Sequence, residues 1–242
     1  MGETGWSEAD SETFIRLADV FVPDRATQWD TICTLIPDSP GLIVELSCGE
    51  GLLAERLLQE FPTTRLVALD ASGVMLERAA ARLSHFGARQ EVRRFEIGEA
   101  DWRSQWQGGC DAVVSSMAVH HLDDPGKRNL YADVLRMLRG GGALVIADIV
   151  QPASAAAVRL AADEWNRAVR EQSLTRFRDL SAYDAFLSSG WNSFVPGNED
   201  PTDRMAPLAD HLRWLEAAGY VGVDAVWARA GHAVYAGWRP PA

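Results

Sequence analysis

Short apolar runs alternate with amphipathic segments between residues 41 and 150. A short apolar run bounded by turn residues is typical of a buried strand, whereas apolar residues spaced three and four apart indicate one face of a helix. Strands that are joined through helices run parallel, so this alternation predicts a doubly wound, Rossmann-like α/β sheet. The five predicted strands cover residues 42–46, 66–69, 92–97, 111–115 and 143–150.

Capping and turn residues place the ends of the helices between these strands. The first helix ends at Pro62, and the second begins after Ser72, which can cap a helix N-terminus, and ends by Gly87. The third begins beside Pro125, because proline suits the first turn of a helix, and ends at the glycines of residues 140–142.

The two ends of the chain and one insertion depart from this alternation. Residues 7–38, with apolar positions from Phe14 onward, predict N-terminal helices, and residues 152–206 predict a helical insertion after the fifth strand. Residues 208–238 predict a helix and two strands that are too close in sequence for a crossover helix and so pair antiparallel. The whole pattern predicts one domain over residues 1–242 with a mostly parallel seven-stranded sheet and an antiparallel C-terminal strand.

Composition and charge narrow the class of protein. The 242 residues are 47% hydrophobic and 24% charged, as in ordinary globular chains. The 34 acidic and 23 basic residues give a net charge of −11, which disfavours nucleic acid and anionic membranes as partners because both are bound by clustered positive charge. The three cysteines lack zinc-binding spacing, no apolar run approaches the length of a membrane span, and residues 1–6 are acidic and polar, unlike a signal peptide. We therefore expect a cytoplasmic protein without a metal ion.

A glycine-rich loop at residues 47–51 follows the first predicted strand, and a helix begins directly after it. The glycines, Gly49 and Gly51, let a ligand approach the backbone, and the helix N-terminus presents free N–H groups to a carboxylate or phosphate. Residues 49–54 also fit the dinucleotide fingerprint, with Asp70 placed to bind a ribose. The loop alone therefore leaves a nicotinamide cofactor open.

Acidic residues beside this loop favour a different ligand. Glu45, at the end of the first strand, suits a ligand with an ammonium group and would have no partner beside a pyrophosphate. Asp101 and Trp102 follow the third strand and offer an acceptor for an exocyclic amine and an aromatic wall for a purine.

With these residues in place, the sequence resembles the class I S-adenosylmethionine-dependent methyltransferases, closely over residues 41–150 and more loosely over residues 208–238. The resemblance implies S-adenosylmethionine as cofactor and S-adenosylhomocysteine as product, with acids after the first three strands binding the methionine part, the ribose and the adenine amine. Ser47 stands where the family usually has glycine, and serine suits the position if its φ is negative. The implied cofactor-binding residues are Glu45, Ser47, Gly49, Gly51, Asp70, Ala71, Met75, Asp101, Trp102, Ser116 and Met117.

The loop at residues 115–123 resembles that of small-molecule members of the family and carries two candidate catalytic residues, His120 and His121. Methyl transfer depends on alignment and desolvation, with a base where the acceptor must lose a proton, and histidine suits that role near neutral pH. If Val119 and Leu122 point inward, one imidazole faces the cleft, and His120 is the candidate base. The alternative is that both histidines are structural and hydrogen-bond the loop.

The insertion at residues 152–206 is expected to lie over the carboxyl ends of the strands as a lid, where ligands bind in doubly wound sheets. Its aromatic residues indicate an apolar or aromatic acceptor, or alternatively form the core of the lid itself. The candidate acceptor-binding residues are Trp165, Tyr183 and Trp191, with Arg25 available to an acidic acceptor.

These observations predict a methyltransferase that acts on an oxygen of a small molecule and is a monomer or homodimer. One alternative is transfer to a tRNA base through a local patch of Arg89, Arg93 and Arg94. Another is a non-catalytic module that binds the cofactor or a partner, in which the insertion would plug the acceptor pocket. A third keeps the cofactor but promotes a rearrangement or decarboxylation.

Overall fold

A computed structural model describes residues 16–99 and 101–241. Seven strands form one sheet in the order β3-β2-β1-β4-β5-β7-β6, in which β1 to β5 run parallel and β7 runs antiparallel to both β5 and β6. This confirms the predicted Rossmann-like fold class with its antiparallel C-terminal strand. The strands are β1 (Leu42–Leu46), β2 (Arg65–Asp70), β3 (Gln90–Arg94), β4 (Cys110–Ser116), β5 (Leu138–Ile149), β6 (Val221–Arg229) and β7 (His232–Trp238).

The helices pack on both faces of the sheet and in the insertion. They are α1 (Arg25–Leu35), α2 (Leu52–Glu60), α3 (Gly73–Leu83), α4 (Asp124–Met137), α5 (Ala155–Phe177), α6 (Ser181–Ser188) and α7 (Leu208–Ala218). Of the predicted N-terminal helices at residues 7–38, residues 16–21 and α1 are helical, and Phe14 lies outside the described residues. None of the helices in the described part of the chain is both long and apolar enough to cross a membrane.

Alternate residues of the central strands supply two separate cores. Val44 and Leu46 pack with residues of α4 and α7 on one face of the sheet. Ile43 packs with residues of α1, α2 and α3 on the other face. Because helices cover both faces, the central strands are apolar on both sides, which is why they appear in the sequence as continuous apolar runs.

Two element boundaries differ from the prediction. The third strand was predicted at residues 92–97 but is Gln90–Arg94, and Phe95 turns out of it to pack edge-to-face on Trp102 at 5.1 Å between ring centroids. It is the edge strand of the sheet and half-exposed, so its mixed polarity gave a weak pattern. The glycines of residues 140–142 do not end a helix, because α4 ends earlier and they lie within β5.

Glycine occurs in β5 because the backbones of β4 and β5 approach each other closely there. The register between β4 and β5 shifts between Cys110 and Ala112, which marks a bulge. A Cβ on Gly142 would lie 3.0 Å from the carbonyl oxygen of Asp111, so this position needs the close backbone approach that only glycine permits.

The insertion forms a third apolar cluster with the residues before α1. Trp165 of α5, Phe186 of α6 and the following Phe194 bury their rings against one another and against Phe21. Ile149, at the end of β5, belongs to the same cluster. The insertion is therefore held at the carboxyl end of a central strand, where it can cover a ligand.

Candidate functional site

The loop after β1 is held in place by the carboxylate that ends β2. Oδ2 of Asp70 accepts a hydrogen bond from the Gly49 N–H at 2.8 Å, and Oδ1 accepts one from the Ser72 N–H at 2.9 Å. Asp70 thus joins the glycine loop to the turn that begins α3, and its side chain lies between the two predicted ligand-binding loops. Gly51 adopts φ 82°, and a Cβ there would lie 3.2 Å from Ala79 of α3.

Ser47 adopts a left-handed conformation with φ 54°. Serine was expected to suit this position only at negative φ, so the structure places it in the region that favours glycine. An L-residue in this region costs about 1–2 kcal/mol of backbone energy. Met117, at the end of β4, shares the feature with φ 58°. Strained residues of this kind persist where the surrounding structure fixes them, often around ligands.

Glu45 points a buried carboxylate into the same region. It is 2% exposed, and its Oε2 has no hydrogen-bond partner within residues 16–99 and 101–241. Burial, and then the neighbouring Asp70, raise the pKa of Glu45 well above its usual value, while Arg25 acts in the opposite direction. A buried carboxylate oxygen without a donor is costly, and a cationic ligand group would satisfy it.

These side chains line one pocket at the carboxyl end of β1. It is bounded by Glu45, Ser47, Gly49, Met75 and Ser116, and α1 contributes Arg25 and Trp29. The Arg25 guanidinium lies 4.4 Å from the centre of the Trp29 ring and pairs with Asp19 at 2.9 Å. Arg25, considered from the sequence as an acceptor-binding residue, therefore lies beside the glycine loop instead.

Three further predicted cofactor residues, Ala71, Asp101 and Trp102, are not among the residues that line this pocket. Ala71 follows Asp70 and is half-buried, and Asp101 is exposed with its carboxylate accepting the Trp102 N–H at 2.8 Å. Trp102 is 4% exposed and packs in the core against Phe95. Its ring thus lies in the core beside β2 and β3, and its role as a purine wall stays a prediction.

Comparison with known proteins decides which kind of ligand this pocket serves. Residues 43–142, which include the glycine loop, Asp70 and the end of β4, match the family described as methyltransferase domain. Residues 43–142 therefore form a methyltransferase domain, and the sheet around them has the class I methyltransferase fold. S-adenosylmethionine is accordingly its cofactor, and the orphaned Glu45 carboxylate fits the ammonium group that this cofactor carries.

Individual methyltransferases resemble the chain over part of their length. The malonyl-[acyl-carrier protein] O-methyltransferase of Hahella chejuensis is 36% identical over 111 residues, which cover 46% of this chain and 37% of that protein. The trans-aconitate 2-methyltransferase of Deinococcus radiodurans is 34% identical over 114 residues, covering 46% and 40%. The matched part thus spans less than half the length of these two curated relatives.

A solved methyltransferase shares the fold over almost the whole chain. Human N-acetylserotonin methyltransferase in complex with S-adenosylmethionine superimposes with a TM-score of 0.59 at 13% identity, covering 97% of this chain and 57% of that one. This likeness includes the insertion and the C-terminal hairpin, which the family match at residues 43–142 leaves out.

The loop after β4 brings His120 against an acid of β5. Nδ1 of the His120 ring lies 2.5 Å from Oδ1 of Asp148. The backbone N–H of His120 donates a hydrogen bond to Oδ2 of Asp148 at 2.9 Å. Nε2 lies 3.5 Å from Oδ1 of Asp203 in the insertion. Burial lowers the pKa of His120, but the Asp148 and Asp203 carboxylates outweigh it and the pKa is raised. The same pairing with His120 lowers the pKa of Asp148 against the effect of burial.

His121 has a different environment from its neighbour. Its Nδ1 lies 3.3 Å from the carbonyl oxygen of Thr202 and 3.7 Å from Oδ1 of Asp203. Burial, and then the positive charge of His120, lower its pKa to about 4, so it is neutral over the physiological range. Ligating atoms of His120, His121 and Asp203 lie within 4.8 Å of one another, close enough to share a cation.

A cavity of about 600 Å³ lies between this loop and the insertion. Met117 and His120 line one side of it, and Trp165, Trp191 and Asp203 line the other. Ser116 lines the cofactor pocket, so consecutive residues border the two spaces. Tyr183 packs against the apolar cluster of the insertion, as the alternative interpretation of the lid aromatics expected.

Sequence reasoning missed the two acids that contact His120, namely Asp148 and Asp203. Asp148 had a signal, because it is an acid inside an otherwise apolar strand and a buried acid needs a partner. Asp203 had none, since it lies in a loop rich in Gly, Pro, Asn and Asp that reaches His120 only through the tertiary fold.

Proposed function

We propose that the protein transfers a methyl group from S-adenosylmethionine to an oxygen of a small molecule held in the 600 Å³ cavity, with His120 as the base. The observation that carries this proposal is the position of His120. His120 and Met117 both border the cavity, and Ser116, the residue before Met117, borders the cofactor pocket. An acceptor in the cavity can therefore reach both the methyl group and the imidazole.

The residues around His120 fit the handling of a proton. S-adenosylmethionine bound beside Glu45 would supply an electrophilic methyl group and would leave as S-adenosylhomocysteine when its methyl–sulfur bond breaks. His120 would take the proton that the acceptor hydroxyl loses as the methyl–oxygen bond forms. Asp148 fixes the orientation of the imidazole through Nδ1 and leaves Nε2 directed toward the cavity side, where Asp203 lies. A carboxylate that orients a histidine and stabilises its protonated form is a recurring arrangement in general base catalysis.

The open cavity also favours the hypothesis of an enzyme over that of a non-catalytic module. In the module interpretation, side chains of residues 152–206 would fill the space beside Met117. Trp165 and Trp191 instead border an open volume that suits a small aromatic molecule. Trp165 donates its indole N–H to the carbonyl oxygen of Phe21 at 2.7 Å, so it offers the cavity its ring surface.

Two of the three arginines that suggested the tRNA alternative are engaged within the protein, while Arg94 is exposed. Arg89 donates to the carbonyl oxygens of Leu58 and Phe61, and Arg93 pairs with Glu91 at 2.6 Å. Both guanidinium groups thus have partners within the protein. A cytoplasmic location and a monomer or homodimer stay predictions.

The test measures S-adenosylhomocysteine formed with a panel of phenols and hydroxy acids, with the methylated product identified by mass spectrometry. His120→Gln is expected to lower kcat about 100-fold or more, the contribution typical of a positioned base. The exposed His85→Gln is the matched control and keeps full activity. If His120→Gln forms product at the rate of the unmodified protein, His120 is not the base.

A further inference from the structure

The wall of the 600 Å³ cavity is acidic on the side of the insertion. Glu199, Asp200 and Asp203 border it, all within one loop. Burial raises the pKa of Asp203, His120 acts in the opposite direction, and the Asp200 and Asp148 carboxylates raise it further. The Asp200 and Asp203 carboxylates therefore repel each other, and a positive charge between them would relieve the repulsion.

No basic side chain balances this wall. The cavity is bordered by no Arg or Lys of the described residues. Residues 1–15, 100 and 242, which the structure does not describe, contain neither residue type, so all 23 basic side chains are accounted for. The nearest basic residue in the sequence, Arg204, is exposed, and its guanidinium lies 4.0 Å from Asp123. Only the His120 imidazole can be cationic in the wall, and it is paired with Asp148.

Other residues that line the cavity are apolar or aromatic. They are Met117, Ile149, Trp165 and Trp191. Aromatic rings attract cations through their faces as well as packing on apolar skeletons. Ser193 also borders the cavity, and its buried hydroxyl has no hydrogen-bond partner anywhere in the described chain, so it is available to a polar group of the ligand.

We propose that the acceptor carries a protonated amine on an aromatic or apolar skeleton, and that the acidic wall excludes acceptors whose charge is a carboxylate. The inference rests on the proposed function, since it describes what occupies the acceptor cavity. It separates this chain from the relatives named for malonyl-[acyl-carrier protein] and trans-aconitate, both of which are anionic. The cation is bound by the wall of residues 199–203, and the skeleton lies against the two tryptophans.

Three phenols of similar shape and different charge test this preference by binding alone. Tyramine is a cation, 4-ethylphenol is neutral and 4-hydroxyphenylacetate is an anion. Their dissociation constants are measured by ligand-observed NMR on the protein saturated with S-adenosylhomocysteine. We expect tyramine to bind about tenfold more tightly than 4-hydroxyphenylacetate at low salt, with a gap that narrows as salt is added. Equal or tighter binding of the anion, or no binding of any probe at millimolar concentration, would overturn the inference.

A pair of substitutions that removes two negative charges tests whether the acidic wall causes this preference. Glu199→Gln with Asp200→Asn is expected to weaken tyramine binding about threefold and to strengthen binding of the anion, because two negative charges leave the cavity. Binding of 4-ethylphenol is expected to stay unchanged, which shows that the variant is folded. Glu216→Gln, an exposed carboxylate on α7 outside the cavity wall, is the control and changes none of the three.

The binding measurements do not depend on whether any of the phenols is methylated. If the charge order holds but no phenol is methylated, the proposed function is wrong and the charge preference stands. If a carboxylate acceptor such as trans-aconitate is methylated with a higher kcat/KM than every amine tested, the proposed function stands and this inference is wrong.

Discussion

The imidazole of His120 and the carboxylate of Asp148 form a buried pair, with Nδ1 and Oδ1 2.5 Å apart and the two side chains 6% and 1% exposed. The pair joins the loop after β4 to the adjacent strand β5. Asp148 also accepts the backbone N–H of His120, so it fixes both the ring and the loop that carries it. The position of the proposed base is thus set by a strand rather than by a mobile loop.

The pair predicts a dependence of activity on pH. The base must be neutral, and the carboxylates raise the pKa of His120 above 6.5, so kcat/KM is expected to rise with pH through a pKa above that value. Asp148→Asn removes the charge that raises it, and the rising limb is expected to move to lower pH. Asp148→Asn also removes the carboxylate that orients the His120 imidazole, so kcat/KM on the high-pH plateau is expected to fall about 10- to 100-fold. A limb that does not move would mean that another group titrates.

Ser47 predicts an effect on stability. Because Ser47 has φ 54°, Ser47→Gly relieves the left-handed strain and is expected to raise the free energy of unfolding by about 1 kcal/mol. Ser47→Ala is the control, since alanine keeps the strain and removes only the hydroxyl. Urea denaturation of both variants checks this. Equal stability of the glycine and alanine variants would show that the position is unstrained.

Much of the fold was predictable because the central strands obey one simple pattern. The strands β1, β2, β4 and β5 are buried on both faces, so each gave an apolar run, and the short connection between β6 and β7 fixed their antiparallel pairing. The edge strand β3 was misplaced because half-exposed residues give no run. The glycines of residues 140–142 were misassigned because glycine marks a helix end and a bulged strand equally well.

The residues of the site fall into two groups. Some are revealed by a local sequence pattern, and others are brought to the site only by the tertiary fold. Glu45, Gly49 and Asp70 were found from the sequence because each follows a predicted strand, and the structure brings them together. Asp203 approaches His120 only through the path of the insertion, and no local pattern specifies that path. Trp102, a predicted cofactor-binding residue, is 4% exposed and packs in the core, and its role as a purine wall stays a prediction.

Buried histidines away from the site predict a loss of stability in acid. Burial lowers the pKa of His211 and of His232 to about 4, so the folded protein holds both neutral while the unfolded chain takes up protons below pH 6.5. Stability is therefore present above pH 6.5 and is lost as the pH falls toward 4, by about 2 kcal/mol per histidine between pH 6.5 and 5. Urea denaturation at both pH values measures this loss.

The variant His232→Gln is expected to lose its share of that dependence, and His85→Gln, an exposed histidine, to keep all of it. A stability difference between pH 6.5 and 5 that is the same in His232→Gln and in the unmodified protein would show that this histidine is not held neutral.

Removal of metal ions is expected to leave methyl transfer unchanged. His120, His121 and Asp203 are close enough to share a cation, but Asp148 and Asp203 give His120 the partners that a base requires. Activity after dialysis against EDTA is the measurement. Loss of activity that added Mg²⁺, Mn²⁺ or Zn²⁺ restores would instead assign these residues to a metal ion.

The pocket beside Glu45 is tested most directly by calorimetric titration with S-adenosylmethionine and, separately, with NAD. We expect S-adenosylmethionine to bind and NAD not to bind, because the buried Glu45 carboxylate satisfies an ammonium group and repels a pyrophosphate. Glu45→Gln is expected to weaken binding at least tenfold, the loss typical of one charged hydrogen bond, while Glu60→Gln at the exposed end of α2 binds as before. Binding of NAD in place of S-adenosylmethionine, or unchanged binding of S-adenosylmethionine by Glu45→Gln, would contradict this account of the pocket.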